Sequence, residues 1–300
     1  MAWSQSYSIP FSTPSYEFHL HGLSDLQIGS TSTSISVIKS RIYDICKDPF
    51  DSGVIVPGDI EDEDRPSTRS MRRSVFADRP EVPVRDAQKH MAWIDKNIIP
   101  LLMPLQKTKY GIMGVLAGHH WTQITPALNS VQYICQEISR LSNKKVNYLG
   151  EMSSFMDIRF IGFDNIVRRV VGHIQHGEGG GQTKAASLNK LDRATQGFIA
   201  DFYIRAHDCQ IVASKTDQLY PKEMRKQDIE PVIMSKTVVM LNLGAATKGY
   251  EVNKTTPSYI ESKMMRPTAL GWGSIKFKIK KAHSWEDPSK NMKVYMSVEI

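Results

Sequence analysis

Five short segments of this chain set side chains that can hold a metal ion beside small residues that let the backbone turn. In order they are Ser24-Asp25-Leu26-Gln27-Ile28-Gly29, Pro57-Gly58-Asp59, Ala117-Gly118-His119-His120, His176-Gly177 and Ala206-His207-Asp208-Cys209. Carboxylate, imidazole and thiolate bind divalent cations, and the mixture of oxygen, nitrogen and sulfur donors sets which cation is preferred. Histidine near neutral pH also gives and takes protons. Taken singly, each segment has an ordinary explanation. A Gly-Asp after a strand is a turn, a His-His pair lies on the surface or in the core, and a lone cysteine is a small buried hydrophobe. Yet His119, His120, His173, His176 and His207, five of the nine histidines, fall within or beside these segments. The set therefore reads as one constellation.

Each segment follows a stretch with strand character. Glu17 to Leu23 leads to Asp25, Val54-Ile55-Val56 to Asp59, and Ile112 to Leu116 to His119 and His120. Val167 to Ile174 leads to His176, and Phe202 to Arg205 to His207. Between them apolar residues recur at helical spacing: Ile35, Ile38, Ile42 and Ile45, then Val131, Ile134, Ile138 and Leu141, then Leu188, Leu191 and Phe198-Ile199. Arg85 to Lys107 reads as helix with Pro100 and Pro104 breaking or kinking its second half. Phe155 to Phe163 is a further strand. Beyond Cys209 the pattern is mostly β, over Gln210–Ser214, Val232–Leu243, Ile275–Ile279 and Met292–Ile300. Strand–helix alternation passing into strand-rich sequence predicts a layered α/β domain. The ligand site falls at the carboxyl ends of strands. No repeat or clean linker divides residues 1–300, so they are expected to form one domain. Residues 59–86, charged and without periodicity, are expected to form a long surface loop near the site.

The order of the segments resembles the calcineurin-like metallophosphoesterase family, whose pattern is Asp-x-His, Gly-Asp, Gly-Asn-His-Asp/Glu, His and Gly-His-x-His. The resemblance runs from Glu17 to Gln210 and continues more loosely to the C-terminus. It implies an α/β fold, a metallophosphatase-like layered sandwich of two mixed β-sheets flanked by helices. It also implies a binuclear metal site in which two divalent ions, manganese, iron or zinc, activate a bridging hydroxide for in-line attack on phosphorus. Carried over residue by residue, Asp25, Gln27, Asp59 and Cys209 would hold metal one. Asp59, His119, His176 and His207 would hold metal two, with Asp59 bridging. His120 would be catalytic, assisting the leaving oxygen. Three positions depart from the pattern. Gln27 stands for a histidine, His119 for an asparagine and Cys209 for the last histidine. Cys209 as thiolate would favour zinc or iron over magnesium. Two departures fall on metal one.

The implied activity is that of a metal-dependent phosphoesterase. The protein serine/threonine phosphatase signature Gly-Asp-x-x-Asp-Arg-Gly is absent, because Glu63-Asp64 follows Asp62. A phosphodiester is therefore expected, with nucleic acid or a nucleotide as the partner. The alternatives are a catalytically silent binding protein on the same fold and a phosphomonoesterase. Gly177 to Lys184 does not fit the phosphate loop, since Ala185 stands where Ser or Thr is needed. It reads as a turn before a helix starting near Thr183. Similar glycine-rich turns occur in phage and prokaryotic members, which this chain most resembles. His19 and His21 read as structural. Asp62 and Asp64 lie near Asp59 with no further warrant.

Composition narrows the setting. The net charge of +7 and pI near 9.2 suit an anionic partner. The basic clusters Arg65–Arg73 and Lys276–Lys281 read as solvated faces before they read as a nucleic-acid stripe. No run approaches the ~20 apolar residues of a membrane span, and Met1 to Ser6 lack a secretory pattern. Three widely spaced cysteines, Cys46, Cys135 and Cys209, argue against a disulfide framework. The expected location is cytoplasmic, the host cytoplasm if the chain is phage-encoded.

Overall fold

In the computed structural model the residues described are 3–30, 32–62, 84–179, 183–221, 233–250, 269–281 and 292–300. Their strands are β1 (Trp3–Pro10), β2 (Tyr16–Gly22), β3 (Asp51–Pro57), β4 (Ile112–Leu116), β5 (Gln123–Thr125), β6 (Leu128–Asn129), β7 (Asn147–Tyr148), β8 (Ser153–Ile161), β9 (Val167–Gln175), β10 (Phe202–Arg205), β11 (Val212–Pro221), β12 (Ile233–Asn242), β13 (Ser274–Lys281) and β14 (Met292–Glu299). The helices are α1 (Ile35–Lys47), α2 (Val84–Asn97), α3 (Ile99–Leu102) with a 3-10 turn at Met103–Lys107, α4 (Ser130–Ser142) and α5 (Lys184–Gly197).

Two six-stranded sheets carry the fold, in the orders β1-β8-β9-β10-β12-β11 and β14-β13-β2-β3-β4-β7. Both are mixed. β2, β3, β4 and β7 run parallel, as do β9, β10 and β12, while β11, β13 and β14 pair antiparallel with their neighbours. The two-sheet α/β sandwich expected from the sequence is the architecture found. β3 and β4 are buried almost throughout, as the central parallel strands of a covered sheet must be. Between the sheets Phe18, Phe160, Phe202 and Phe277 form a fully buried aromatic group. Phe277 lies 5.4–5.9 Å, ring centre to ring centre, from the other three. Alternation along β2 sends Phe18 and Leu20 into that core and His19 and His21 to the opposite face.

α4 begins on a capping box, in which Asn129 accepts from the Gln132 N–H while the Gln132 side chain takes the Asn129 N–H. Such reciprocal bonds satisfy donors the first helical turn leaves free. Pro100 and Pro104 break the helical run into α3 and the 3-10 turn, as expected.

Some expectations are corrected. β1 had no counterpart in the sequence reading, although Gln5, Tyr7 and Ile9 alternate there with serines. Tyr7 packs against the core and donates to the Met113 carbonyl at 2.7 Å. Phe198 and Ile199 lie beyond the end of α5, because the chain is extended from Phe198. The loop expected over 59–86 does not reach either of those ends. Ile60 and Glu61 are buried, Ile28 bridges to Glu61, and residues 84–86 open α2. Residues 63–83, with the basic cluster Arg65–Arg73, lie outside the described residues. The other basic run forms β13, inside a sheet, where Lys276 pairs with Glu299 at 2.9 Å and Lys278 with Glu17 at 3.3 Å. No helix among the described residues is long and apolar enough to cross a membrane.

Phe277→Ala should cost ~3–5 kcal/mol in urea denaturation, whereas Ala at the exposed Phe163 should stay within ~0.5 kcal/mol. Equal small losses would mean that the two sheets do not share this core.

Candidate metal centre

All five segments sit just past the carboxyl ends of parallel strands: Asp25 and Gln27 after β2, Asp59 after β3, His119 and His120 after β4, His176 after β9, and His207 and Cys209 after β10. Both sheets therefore deliver side chains to one edge of the sandwich. Among the described residues Asp59, His119, His176 and His207 form a cluster whose ligand atoms all lie within 4.8 Å of one another.

Asp59 is the hub. It is 1% exposed. Its Oδ1 accepts the backbone N–H groups of His119 at 2.6 Å and His120 at 2.9 Å, and its Oδ2 lies 3.2 Å from His176 Nε2. His176 is fully buried. Its Nδ1–H donates to the Pro57 carbonyl at 2.7 Å, which fixes the tautomer and leaves Nε2 facing the cluster. That Nε2 is buried without a hydrogen-bond partner. A metal-binding histidine has this arrangement, one nitrogen anchored on a carbonyl and the other turned to the ion.

Asp25 and Cys209, also expected as metal ligands, stand outside this cluster, and Gln27 is bonded elsewhere. Asp25 is buried, and one of its oxygens accepts the His207 N–H at 3.0 Å. Gln27 turns its amide oxygen to the Thr247 hydroxyl at 2.8 Å, and Cys209 Sγ points at the His207 carbonyl, 3.6 Å away. The structure thus brings together the residues expected for metal two. It leaves Asp25 and Cys209 out of that close group.

Backbone conformation is unusual around the cluster as well as in it. Among the described residues seven non-glycine positions have positive φ, and five of them are Asp25, Gln27, Asp59, His207 and Cys209. L-residues adopt this conformation at a cost that persists where the surroundings dictate it, typically at functional sites. Gly58 (φ +102°) and Gly118 (φ +76°) make the close packing possible. A Cβ on Gly58 would lie 2.8 Å from Gly118 Cα, and one on Gly118 would strike the Asp59 carboxylate.

Beside the cluster, His120 is held by Asp62, whose Oδ1 lies 2.8 Å from His120 Nδ1. Its Nε2 is 3.7 Å from Asp59. Glu61, 2% exposed, accepts from the Thr122 N–H at 3.1 Å, from the Ser130 hydroxyl and from His90 at 3.0 Å. It ties the His119–Thr122 loop to α4 and α2. Sequence reasoning gave Asp62 no role and missed Glu61 and Thr247. Only the adjacency of Asp62 and Glu61 to Asp59 could have singled them out. His173 lies under Phe198, ring centres 4.1 Å apart, away from the cluster. His19, His21 and Asp48 form a second group. There Asp48 takes His19 at 2.6 Å and His21 at 2.8 Å, Glu17 takes His19 at 3.0 Å, and Arg41 stands 3.5 Å from His21. Each ring nitrogen there already has a partner, in keeping with a structural role.

Burial pushes the His176 imidazole down, but Asp59 and Asp25 outweigh it and raise the group to about 9. Burial likewise pushes Asp59 up, yet His176 and His120 hold it below the usual carboxylate range. Burial raises Asp25 to about 6 and lowers His207 to about 4; His119 is lowered by the same cause. The Cys209 thiol is pushed well up by burial and then by Asp25, Asp59 and Asp208. The arrangement is a donor set of three imidazoles and one carboxylate, with Asp59 and His176 buried and His119 and His207 half-buried, suited to a zinc-class cation.

An α/β two-sheet sandwich with a histidine–aspartate cluster at the ends of its parallel strands is the class that fold and site define. No family model matches the chain, and no curated protein matches it. Among solved structures it matches the crystal structure of the calcineurin-like phosphoesterase YfkN from Bacillus subtilis at 8% identity, over 95% of this chain and 91% of that one. The TM-score is 0.33, too low for that likeness to bear on function.

Two outcomes follow from the geometry. Gly118→Ala, strained in φ and set against Asp59, should lower retained metal at least tenfold while β-structure by circular dichroism is kept; unchanged metal content would detach Gly118 from the centre. For metal-stripped protein the sign follows from His176. Its folded value of about 9 exceeds the ordinary 6.5, so its stabilisation is full below about 6.5 and lost as pH rises through 9. The melting temperature should fall across that window, and saturating zinc should flatten the slope, since the ion displaces the proton.

Proposed function

We propose that the protein is a metal-dependent phosphoesterase, and that its substrate is a phosphodiester in a nucleic acid or nucleotide. The observation that carries this reading is the cluster of buried Asp59 and His176 with half-buried His119 and His207, with the Asp62-held His120 at its side. The residues fit a divalent ion. His176 Nε2 is buried and faces the Asp59 carboxylate 3.2 Å away, its other nitrogen is anchored, and three imidazoles with one carboxylate offer four donors to an ion that can expand its coordination. A second ion of the expected pair would take Asp25, Gln27 and Cys209 and share Asp59. Bound ions would supply Lewis-acid polarisation of a phosphoryl group and an activated water.

The chain's own residues do the rest. Asp59, His119, His176 and His207 would hold the ion, which when bound would offset negative substrate charge near the sheet edge. His120, 12% exposed at its side chain and oriented by Asp62, is set to give a proton to the departing alkoxide. Glu61 holds the loop that carries it. The basic composition favours encounter with phosphate-bearing partners. The three cysteines are free, which fits the reducing, cytoplasmic setting we propose.

The test is hydrolysis of a generic aryl phosphodiester by metal-stripped protein reloaded with manganese, zinc or iron, alongside the matching monoester. Diester turnover should exceed monoester turnover and vanish in Asp59→Asn. His120→Asn should keep its metal and lose ~10²–10⁴-fold in kcat. Monoester preference would make the protein a phosphomonoesterase. Metal binding with no turnover would leave a catalytically silent binding protein.

A further inference from the structure

We infer that Arg205 and Lys190 are positioning residues of the metal centre. With the Asp208 carboxylate between them they form a clamp of two cations that sets the distance between the turns carrying His176 and His207. This deepens the phosphoesterase reading and rests on it for the presence of an ion, but it concerns how the centre is held and not turnover.

His176 follows β9 and His207 follows β10, neighbouring strands of one sheet. Their rings lie 5.2 Å apart, centre to centre. The regular pairing of the two strands ends at Gln175 and Arg205, before either histidine is reached, so the spacing of the two turns must be held by other bonds. Asp208 stands beside His207 with its side chain fully buried. Its Oδ2 accepts from Arg205, and its Oδ1 accepts from Lys190 at 2.7 Å. Each cation reaches on to the turn after His176. Arg205 donates to the Glu178 carbonyl at 3.3 Å, and Lys190 to the Gly179 carbonyl at 2.5 Å. One carboxylate of the His207 turn is thereby joined, through two cations, to consecutive carbonyls of the His176 turn. Gly177 packs on the guanidinium, and a Cβ there would come within 2.6 Å of it. Asn242 of β12 completes the seat. Its side-chain oxygen lies 3.3 Å from Arg205, and its amide donates to the Gln210 carbonyl at 2.6 Å, just past Cys209.

An exposed ion pair would contribute little. Here Asp208 and Arg205 are each 4% exposed, and a buried carboxylate that loses a cation is left uncompensated. The residues on either side of Asp208 are strained, with φ of 80° at His207 and 54° at Cys209. A turn in that conformation persists only while its surroundings dictate it, and the clamp supplies bonds that do so. Lys190 comes from α5, and its side chain is 23% exposed. The clamp therefore also seats that helix against both turns. Loss of Lys190 would let the His207 turn relax without removing any donor of the metal cluster. Partners of this kind, standing behind metal ligands, typically carry ~10–100-fold in metal affinity.

The test uses the full chain loaded with zinc or with cobalt. Lys190→Met removes one arm of the clamp. Leu191→Ala, at the next position of α5, truncates a fully buried side chain in the apolar cluster of Tyr203, Val238 and Met240. Lys190→Met should speed zinc release to a chelator ~10–100-fold and shift the visible absorption of bound cobalt, with the number of bound ions unchanged. Lys190→Arg, which keeps the charge and the donors, should restore both. Asp208→Asn, which keeps the shape and loses the charge, should reproduce the changes of Lys190→Met. Leu191→Ala should lower the melting temperature and leave the cobalt spectrum as in the wild type. Equal effects of Lys190→Met and Leu191→Ala on the spectrum, or wild-type zinc release and spectrum in Lys190→Met, would overturn the inference. No ion retained by the wild type would overturn it together with the phosphoesterase reading. A cobalt spectrum that depends on Lys190 in a protein without hydrolysis would overturn that reading alone and leave the clamp as inferred.

Discussion

The structure depends on one buried carboxylate. Asp59 sits at the end of β3 with almost no exposure, where an isolated charge would be costly. It is kept ionised by His176 and by two backbone N–H groups from the next strand's loop. The His176 contact also joins the sheets, because Asp59 follows β3 and His176 follows β9, whereas His119 and His120 follow β4, the neighbour of β3 in the same sheet. A second such tie runs from Asp25 after β2 to the His207 N–H after β10. The polar edge of the sandwich is therefore assembled by the same groups that would bind metal. Removing either carboxylate would leave buried donors unmatched on the opposite sheet.

Backbone strain follows from this demand. Strands that end at one level can bring several short side chains to one point only if the chain turns sharply at each end. Positive φ at Asp25, Gln27, Asp59, His207 and Cys209 is the local form of that constraint. The long apolar run through the core opposes it: the Phe18, Phe160, Phe202 and Phe277 group fixes the sheets face to face and so fixes the gap the polar edge must close. Asp208, next to the strained His207, is pinned by Lys190 at 2.7 Å and by Arg205, which braces that turn from behind.

Much of this was legible from residue types alone. Val54-Ile55-Val56 and Ile112–Leu116 are apolar runs ended by glycine, so strands and the turns after them could be placed without tertiary information. The amphipathic spacing of α1 and α4 placed Ile38, Ile42, Ile45, Val131, Ile134 and Ile138 on buried faces, while Ile35 and Leu141 at the outer ends are exposed. β1 escaped because serines at alternate positions lower its apolar signal, and its pairing with β8 joins segments some 150 residues apart. The separation within the site was hidden for a different reason. Nothing in the spacing of Gln27, Thr247 and Cys209 shows that Thr247, from the turn after β12, would occupy the Gln27 amide. The roles of Asp62 and Glu61 likewise depend on where His120 and Thr122 fall in space.

The central claim is that Asp59, His119, His176 and His207 are a metal centre. Anomalous diffraction from crystals of the zinc-loaded protein tests it most directly. The account predicts an ion among these four residues, with zinc–nitrogen distances of ~2.0–2.1 Å and His176 bound through Nε2. A strong anomalous peak at the His19, His21 and Asp48 group with none at Asp59, or no bound zinc at all, would contradict it.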